Sequence, residues 1–406
     1  MKRYSIAVPL ALVCVGAHAQ STLLLYGLLD IGVQYTNDAQ VRGQSGRLAG
    51  ASQFAMTDAH ATGLSGSRWG LRGSEDIGSG MKAVFVLENG FMANTGTLAQ
   101  GGAEFGRQAY VGISAAQVGT LTLGRQYDPY LEFVQPLSAT GTFAGYMGSH
   151  PDDVDNLANT NRVNNAVKFA TNKYGGFSAS GLYSVGGVAG DTTANQIWAL
   201  GGGYSNGSFS AGIGYLNARD PNVSFYGNTP NKGVATVDNI GTFGSATSPQ
   251  GNPVYAGFAS ASTLQLIGAG LAWNFGTTTL GAVVTDTRFS GLGGTAAPNP
   301  RGYQGNVNFL NAELSLRAYV TPALLLGAAF DYTKRNSIDG GARYLQLDFG
   351  TIYSLSKRTD VYALTVLQRA SGVDSLGQQA VASISGFSPS TTGHQIGARI
   401  GIRHKF

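Results

Sequence analysis

The stretch Phe309-Leu310-Asn311-Ala312-Glu313-Leu314-Ser315-Leu316-Arg317-Ala318-Tyr319-Val320-Thr321-Pro322 alternates without a break. Leu310, Ala312, Leu314, Leu316, Ala318 and Val320 share one face, and Asn311, Glu313, Ser315 and Arg317 share the other. A period of two marks a β-strand, and a slip of one residue would exchange its faces, so the pattern also specifies register. The segment around Leu345 repeats it, with Leu345, Leu347, Phe349 and Tyr353 opposite Gln346 and Asp348. So does the C-terminus, where Ile396, Ala398, Ile400, Ile402 and Phe406 oppose Gln395, Arg399, Arg403 and Lys405. A soluble sandwich also alternates, but its apolar face is packed core. Here strand after strand sets Leu, Ile, Val and Phe against Arg, Glu and Lys, the pattern of a sheet with lipid on one side and water on the other.

Composition agrees. Of 406 residues 60 are Gly and 12 are Pro, and only 12% are charged, about half the usual ~25%. No Gly-X-Y period or heptad is present, which excludes collagen and coiled coil. A hydrophobic share of 43% with little net charge excludes a disordered chain. Residues 1–19 read as a secretory signal peptide: Lys2 and Arg3 precede the apolar run Ile6–Gly16, and Ala17-His18-Ala19 offers a cleavage point. The mature chain is then 20–406, a single transmembrane barrel domain. The only cysteine, Cys14, leaves with the leader, so no disulfide is expected. Losing Lys2 and Arg3 lowers the formal charge from +4 to +2, which gives no reason to expect a nucleic-acid partner. No later run of 18 apolar residues is long enough for a membrane helix.

Turn chemistry gives the strand count. Short connections fall at Glu75–Gly78, Gln117–Gly119, Lys173–Gly176, Ser205–Gly207, Asn274–Gly276, Val320–Pro322 and Leu355–Arg358. Longer polar segments lie at roughly 36–66, 92–104, 126–161, 184–195, 217–262, 288–308, 334–343 and 369–393. Seven short and eight long connections join sixteen strands. Short turns on one rim and long loops on the other predict an all-β, antiparallel transmembrane barrel of the bacterial outer-membrane type. In lipid no strand edge can stay unpaired, so the sheet closes, and at this size side chains cannot fill the interior, which leaves an aqueous lumen. A secreted sandwich or β-helix is the soluble alternative, but no repeat of 20–50 residues is visible. The aromatic terminal residue, Phe406, is unusual for a soluble chain.

Several segments resemble the general porins of Gram-negative bacteria, particularly their beta-proteobacterial branch. They are Leu25-Tyr26-Gly27-Leu28-Leu29-Asp30, the run Gly66–Ala83 (GSRWGLRGSEDIGSGMKA), Leu123-Gly124-Arg125-Gln126, Asn164–Phe169, Leu355–Thr359 and Gly401–Phe406. Each is weak alone; their order and spacing carry the resemblance. It implies a homotrimer of sixteen-stranded barrels in the outer membrane, with the third long loop folded into the lumen. It also implies passive diffusion of small hydrophilic solutes and inorganic ions, without cofactor or energy source. Phe406 is implied to be part of the signal read by the outer-membrane assembly machinery.

Channel selectivity needs charged side chains projecting into a narrow aqueous path. Alternation offers Arg68 and Arg72 opposite Trp69 and Leu71, Lys82 and Glu88 opposite Phe85 and Leu87, and Arg162 and Lys168 opposite Val167 and Phe169. Ordinary wet lumen residues would look the same. The resemblance implies that Arg68, Arg107 and Arg162 line a constriction, with Lys82 and Lys168 adding positive charge and an anion preference following. Arg107 shares parity with Val111 and Ile113, which should face lipid, so it reaches the lumen only if a bulge intervenes. The third loop carries Asp128, Glu132, Asp152, Asp153 and Asp155, of which Asp152, Asp153 and Asp155 are the candidates to face the arginines. A solvated loop tip, or a calcium site without the Gly and distal Glu of an EF-hand, remain the other readings of that run. The fifth loop either covers the mouth or varies as surface.

An enzyme is not expected. His60, His150, His394 and His404 are scattered, and neither Gly-x-Ser-x-Gly nor His-Glu-x-x-His occurs. A barrel hydrolase would need paired acids or Ser/His on its loops, and no metal-ligand spacing stands out. A substrate-specific channel is the nearer alternative, with Tyr127, Tyr130, Phe133, Phe143 and Tyr146 as an aromatic slide; packing of the loop against the wall would also explain them.

Overall fold

The computed structural model describes residues 21–226, 234–336 and 338–406. The leader 1–19 with Cys14, and Lys232 of the fifth loop, lie outside the described residues. The first half of the sheet comprises β1 (Ser21–Arg42), β2 (Leu48–Asp58), β3 (Arg68–Gly78), β4 (Met81–Gly90), β5 (Gln108–Ala115), β6 (Gly119–Gln126), β7 (Val163–Thr171) and β8 (Phe177–Ser184). It continues through β9 (Ile197–Ser205), β10 (Phe209–Arg219), β11 (Thr263–Phe275), β12 (Thr278–Leu292) and β13 (Gly305–Thr321). The remaining strands are β14 (Leu324–Asn336), β15 (Ala342–Ser354), β16 (Thr359–Gly372) and β17 (His394–Lys405).

From β3 onward each strand pairs antiparallel with the next, and β17 pairs back onto β1 between Leu28 and Thr36. The sheet is therefore a closed barrel. On its other edge β1 pairs with β3 over Ser21–Leu28 and with β2 over Ile31–Arg42. Both segments run antiparallel to β1, so they are two lengths of one stave, and the seventeen segments make sixteen staves. The first long connection is thus shorter than its composition suggests: pairing continues to Arg42 and resumes at Leu48. The residues between β2 and β3 turn inward as α1 (Ala59–Thr62), capped by the Asp58 carboxylate accepting from His60 N at 2.9 Å. Six of the seven short turns fall between consecutive strands at the expected places; the first lies just beyond Glu75–Gly78, at Ser79–Gly80, because β3 runs on to Gly78.

The faces are those of a lipid-embedded wall. Leu310, Leu314 and Leu316 are 42%, 65% and 45% exposed, whereas Asn311 and Glu313 between them are 0% and 3%. Ile396, Ile400 and Ile402 point outward, while Gln395 and Arg399 are buried inside. At the closing seam Phe406 N donates to Gly27 O at 3.0 Å and Gly27 N to Phe406 O at 3.2 Å. The Phe406 ring lies over Gly27, where a Cβ would come 2.5 Å from its Cζ.

Three further loops fold inward. The third, between β6 and β7, opens with α2 (Pro129–Val134), capped by Asp128 accepting from Leu131 N at 2.9 Å. This helix lies against an inward stripe of glycines on β9, β10 and β11. A Cβ at Gly212 would stand 2.0 Å from the Phe133 carbonyl oxygen, and one at Gly214 2.5 Å from Tyr130 Cα. The loop's far end rests on Gly327 and Gly350, which receive Phe143. Glycine allows this close approach because it has no side chain on the packed face. The end of the fifth loop is a cover: Phe258 is buried against Phe289 and Phe309, at centroid distances of 5.8 and 6.1 Å, while Val234 and Val237 stay exposed. Ala382, Ser383 and Ile384 of the last long loop are themselves fully buried.

Candidate functional site

The inward turns of the first and third loops bring Arg68, Arg107 and Arg162 together around two tyrosines. Arg68 begins β3 beside Gly90 of β4, and its Nε donates to Gly66 O at 3.2 Å. Arg107 is 2% exposed; its Nε donates to Glu88 Oε1 at 2.7 Å and its Nη2 to Tyr127 Oη at 2.9 Å. Arg162, 5% exposed, stands over the Tyr127 ring at 5.8 Å and donates from Nη1 to Thr160 O at 3.1 Å. Tyr127 thus wedges between two arginines, and Tyr146 lines the same cavity as Arg162. Burial works to raise the Tyr146 phenol, but Arg107, Arg68 and Arg162 overcome it and hold it below its ordinary value. The phenol registers a locally positive potential.

The parity objection to Arg107 dissolves at the end of the ladder. The β4–β5 ladder runs in register and ends at Glu88 opposite Gln108. Val111 and Ile113 do face lipid, at 59% and 49% exposure. Arg107 lies one residue before the strand, where its N still donates to Glu88 O at 3.2 Å although Glu88 already pairs with Gln108, so the regular alternation of the ladder no longer governs it.

The other expected residues divide. Lys82 does not join the cluster: it is exposed beside the Ser79–Gly80 turn, paired with Asp76. Six residue steps along β4 separate it from Glu88, roughly 20 Å. Lys168 does face inward, but its Nζ is bonded to Glu132 and donates to Tyr127 O at 3.0 Å, so it ties α2 to the wall. Asp152 and Asp153 share a cavity of about 530 Å³ with His60, Tyr146, Arg162 and Tyr255. Asp153 accepts from Ala158 N at 2.7 Å and Thr160 Oγ1 at 2.6 Å, and Asp152 from Ser383 Oγ at 2.8 Å. Burial pushes both carboxyls up to about 7, which weakens the negative charge the loop brings near neutral pH. Asp155 is elsewhere, turned toward the wall, where it accepts from Thr285 Oγ1 at 2.6 Å and meets His150 Nδ1 at 2.6 Å. It does not face the arginines.

Two features have roles that the sequence did not point to. Tyr127 and Tyr146, which the sequence offered only as part of an aromatic slide or as loop packing, stand among the arginines instead. Arg399, 1% exposed, fastens the inward turn of α1 to the barrel. Its Nη1 donates to Thr57 Oγ1 at 2.7 Å and Thr62 Oγ1 at 3.1 Å, and its Nε to Tyr362 Oη at 2.9 Å. Toward the short-turn rim, a second cavity of about 650 Å³ is lined by Arg317, Lys357, Arg403 and Lys405, with Asp360 as its acid. The water-facing path is thus basic at two levels.

Comparison with known proteins gives a consistent answer. The family described as Gram-negative porin matches residues 7–372. An outer membrane porin protein of Bordetella pertussis is 29% identical over 86% of this chain and 89% of its own. Outer membrane porin protein 32 of Delftia acidovorans is 28% identical over the full length of both chains. Among solved structures, the anion-selective porin from Comamonas acidovorans superposes with a TM-score of 0.68, covering 95% of this chain and 100% of its own at 22% identity.

Proposed function

The chain belongs to the Gram-negative porin family, and from that premise we propose that it forms an anion-preferring diffusion channel for small hydrophilic solutes, assembled as a homotrimer. The observation that carries the preference is the convergence of Arg68, Arg107 and Arg162 on Tyr127 and Tyr146, with one carboxylate, Glu88, bonded among them. The third-loop acids are turned to donors of their own: Asp153 to its loop backbone, Asp155 to Thr285 and His150, Asp152 to Ser383. Field lines in a narrow path walled by low dielectric concentrate on the charges nearest the ion. The reversal potential of the reconstituted channel in a salt gradient tests the reading. Its sign is expected to report anions as the more permeant species, and a cation-selective sign overturns it.

The leader 1–19 is taken to be removed on export, leaving a chain that closes on its own terminus. The homotrimer accounts for apolar side chains on the extended first hairpin, where Phe54 and Met56 are 75% and 63% exposed. Detergent-extracted protein is expected to migrate as an SDS-resistant oligomer that dissociates on boiling. Deleting Phe406 removes two main-chain bonds at the seam and the ring over Gly27, as well as the terminal aromatic offered to the assembly machinery. The yield of heat-dissociable oligomer should fall severalfold while export to the periplasm continues. An unchanged oligomer yield would remove Phe406 from that role.

A further inference from the structure

Behind the third loop, on the side away from the arginines, four carboxylates and one imidazole are packed together. Glu313 of β13 stands directly opposite Asp331 of β14 in the ladder, and Asp348 follows on the same inward face of β15. Their exposures are 3%, 1% and 0%. Like charges placed directly across a ladder repel each other. Among the described residues no lysine or arginine forms an ion pair with any of the three; the one cationic partner is His150 of the third loop, whose Nε2 lies 3.7 Å from Asp331 Oδ1.

The hydrogen bonds in this cluster are incomplete, Asp155 Oδ1 among the unpaired atoms. His150 Nδ1 is engaged by Asp155 at 2.6 Å, and Asp155 is held in turn by Thr285 at 2.6 Å. Ala139 N donates to Glu313 Oε1 at 2.7 Å. His150 Nε2, both oxygens of Asp331 and both oxygens of Asp348 have no hydrogen-bond partner, although all three side chains are almost wholly buried. One donor atom from each of His150, Glu313 and Asp331 lies within 4.8 Å of the other two. Buried polar atoms left unpaired are costly, and several converging on one point call for a ligand there.

We propose that His150, Glu313 and Asp331 bind a divalent cation of the zinc type, with Asp348 or a water molecule completing the shell. Imidazole nitrogen with carboxylate oxygens is a donor set that zinc accepts. Ligand atoms ~2.1 Å from a tetrahedral ion stand roughly 3.4 Å apart, so the 3.7 Å between His150 Nε2 and Asp331 Oδ1 needs only a small contraction. The Asp155–His150 contact is the outer carboxylate that orients a metal-binding histidine and fixes its tautomer, with Nδ1 donating and Nε2 free for the ion. Two positive charges at this point would neutralise the repulsion between Glu313 and Asp331. They would also bind the third loop, through His150, to two strands of the wall.

The test uses the folded, detergent-solubilised protein, dialysed against chelator and titrated with ZnCl2 by calorimetry. Saturation near one zinc per chain is expected, with Co2+ giving the visible absorption of a tetrahedral site. His150→Gln and Asp331→Asn should each abolish stoichiometric uptake. Asp155→Asn, which removes only the outer carboxylate, should weaken it about 10- to 100-fold. His394→Gln, at the exposed start of β17, should bind as the parent does. Failure of the parent protein to bind zinc overturns the proposal even if a variant cannot be folded, and so does parental uptake by His150→Gln. Conductance and ion preference are read separately, so the channel reading stands or falls on its own measurement.

Discussion

Replacing Arg68, Arg107 and Arg162 together by serine is expected to carry the reversal potential from the anion side toward the cation side while leaving a folded, SDS-resistant oligomer. A unit charge ~8 Å from a permeating ion contributes between roughly 0.5 and 2 kcal/mol as the effective dielectric falls from 80 to 20. Three such charges change the anion-to-cation permeability ratio by on the order of tenfold or more, since each 1.4 kcal/mol is a factor of ten. The single variants should not be equal. Arg107 is bonded to Glu88 through Nε, so Arg107→Ser both removes a cation and frees a carboxylate. Arg162 stands on the Tyr127 ring and lines the 530 Å³ cavity, so its loss acts on the ion path directly. Lys82→Ser provides the contrast. Its distance from the cluster, roughly 20 Å, exceeds a Debye length of ~8 Å at physiological salt, and selectivity should not change. Retention of full anion preference by the triple variant would move selectivity to the basic vestibule of Arg317, Lys357, Arg403 and Lys405.

What the sequence disclosed follows from which constraints are local. Alternation along Phe309–Pro322 or Ile396–Phe406 is set by the two faces of a single strand, and the seven short turns by a few residues each; both were readable. Arg107 shows where that logic ends. Its parity with Val111 and Ile113 was read correctly, but whether residue 107 belongs to the strand depends on where the ladder with β4 stops, at Glu88. Lys82 and Lys168 both carry the right charge on the lumen side, and only depth along the barrel and the partner Glu132 tell them apart. The run Asp152-Asp153-Val154-Asp155 reads as one acidic unit, yet the backbone turns at Asp152 and Asp153, with φ of 49° and 55°, send its carboxylates to different places. The buried cluster was less visible still. His150, Glu313 and Asp331 are far apart in the chain and meet only because the third loop crosses the lumen to β13 and β14. No spacing motif can encode such a meeting.

The glycine stripe under the third loop leads to the other large effect. Gly212 and Gly214 alternate with Ile213, which is 57% exposed to lipid, so both present their bare face to the lumen. In a strand pattern glycine merely weakens the sheet; here it is the seat of α2. A valine at Gly212 would place its Cβ 2.0 Å from the Phe133 carbonyl oxygen, a main-chain atom that no rotamer change can move aside. Overpacking that the surroundings can absorb costs roughly 1–3 kcal/mol, and a backbone collision at this distance cannot be absorbed in place. The barrel wall is held by the β9–β10 and β10–β11 ladders on either side, whereas α2 is held by side-chain packing and by Lys168 with Glu132. The loop yields before the wall does. Gly212→Val should therefore give an oligomer of normal heat resistance whose single-channel conductance rises severalfold. Its ion preference should fall, because displacing α2 also draws Tyr127 away from Arg107 and Arg162. Gly207→Val, in the short turn before β10 with open space around it, separates the seat from a general effect of removing glycine: any loss there is of backbone freedom at its φ of 92°, not of loop docking. Unchanged conductance in Gly212→Val would mean that the third loop is not what narrows the channel, and the arginines it positions would lose their claim to set its selectivity.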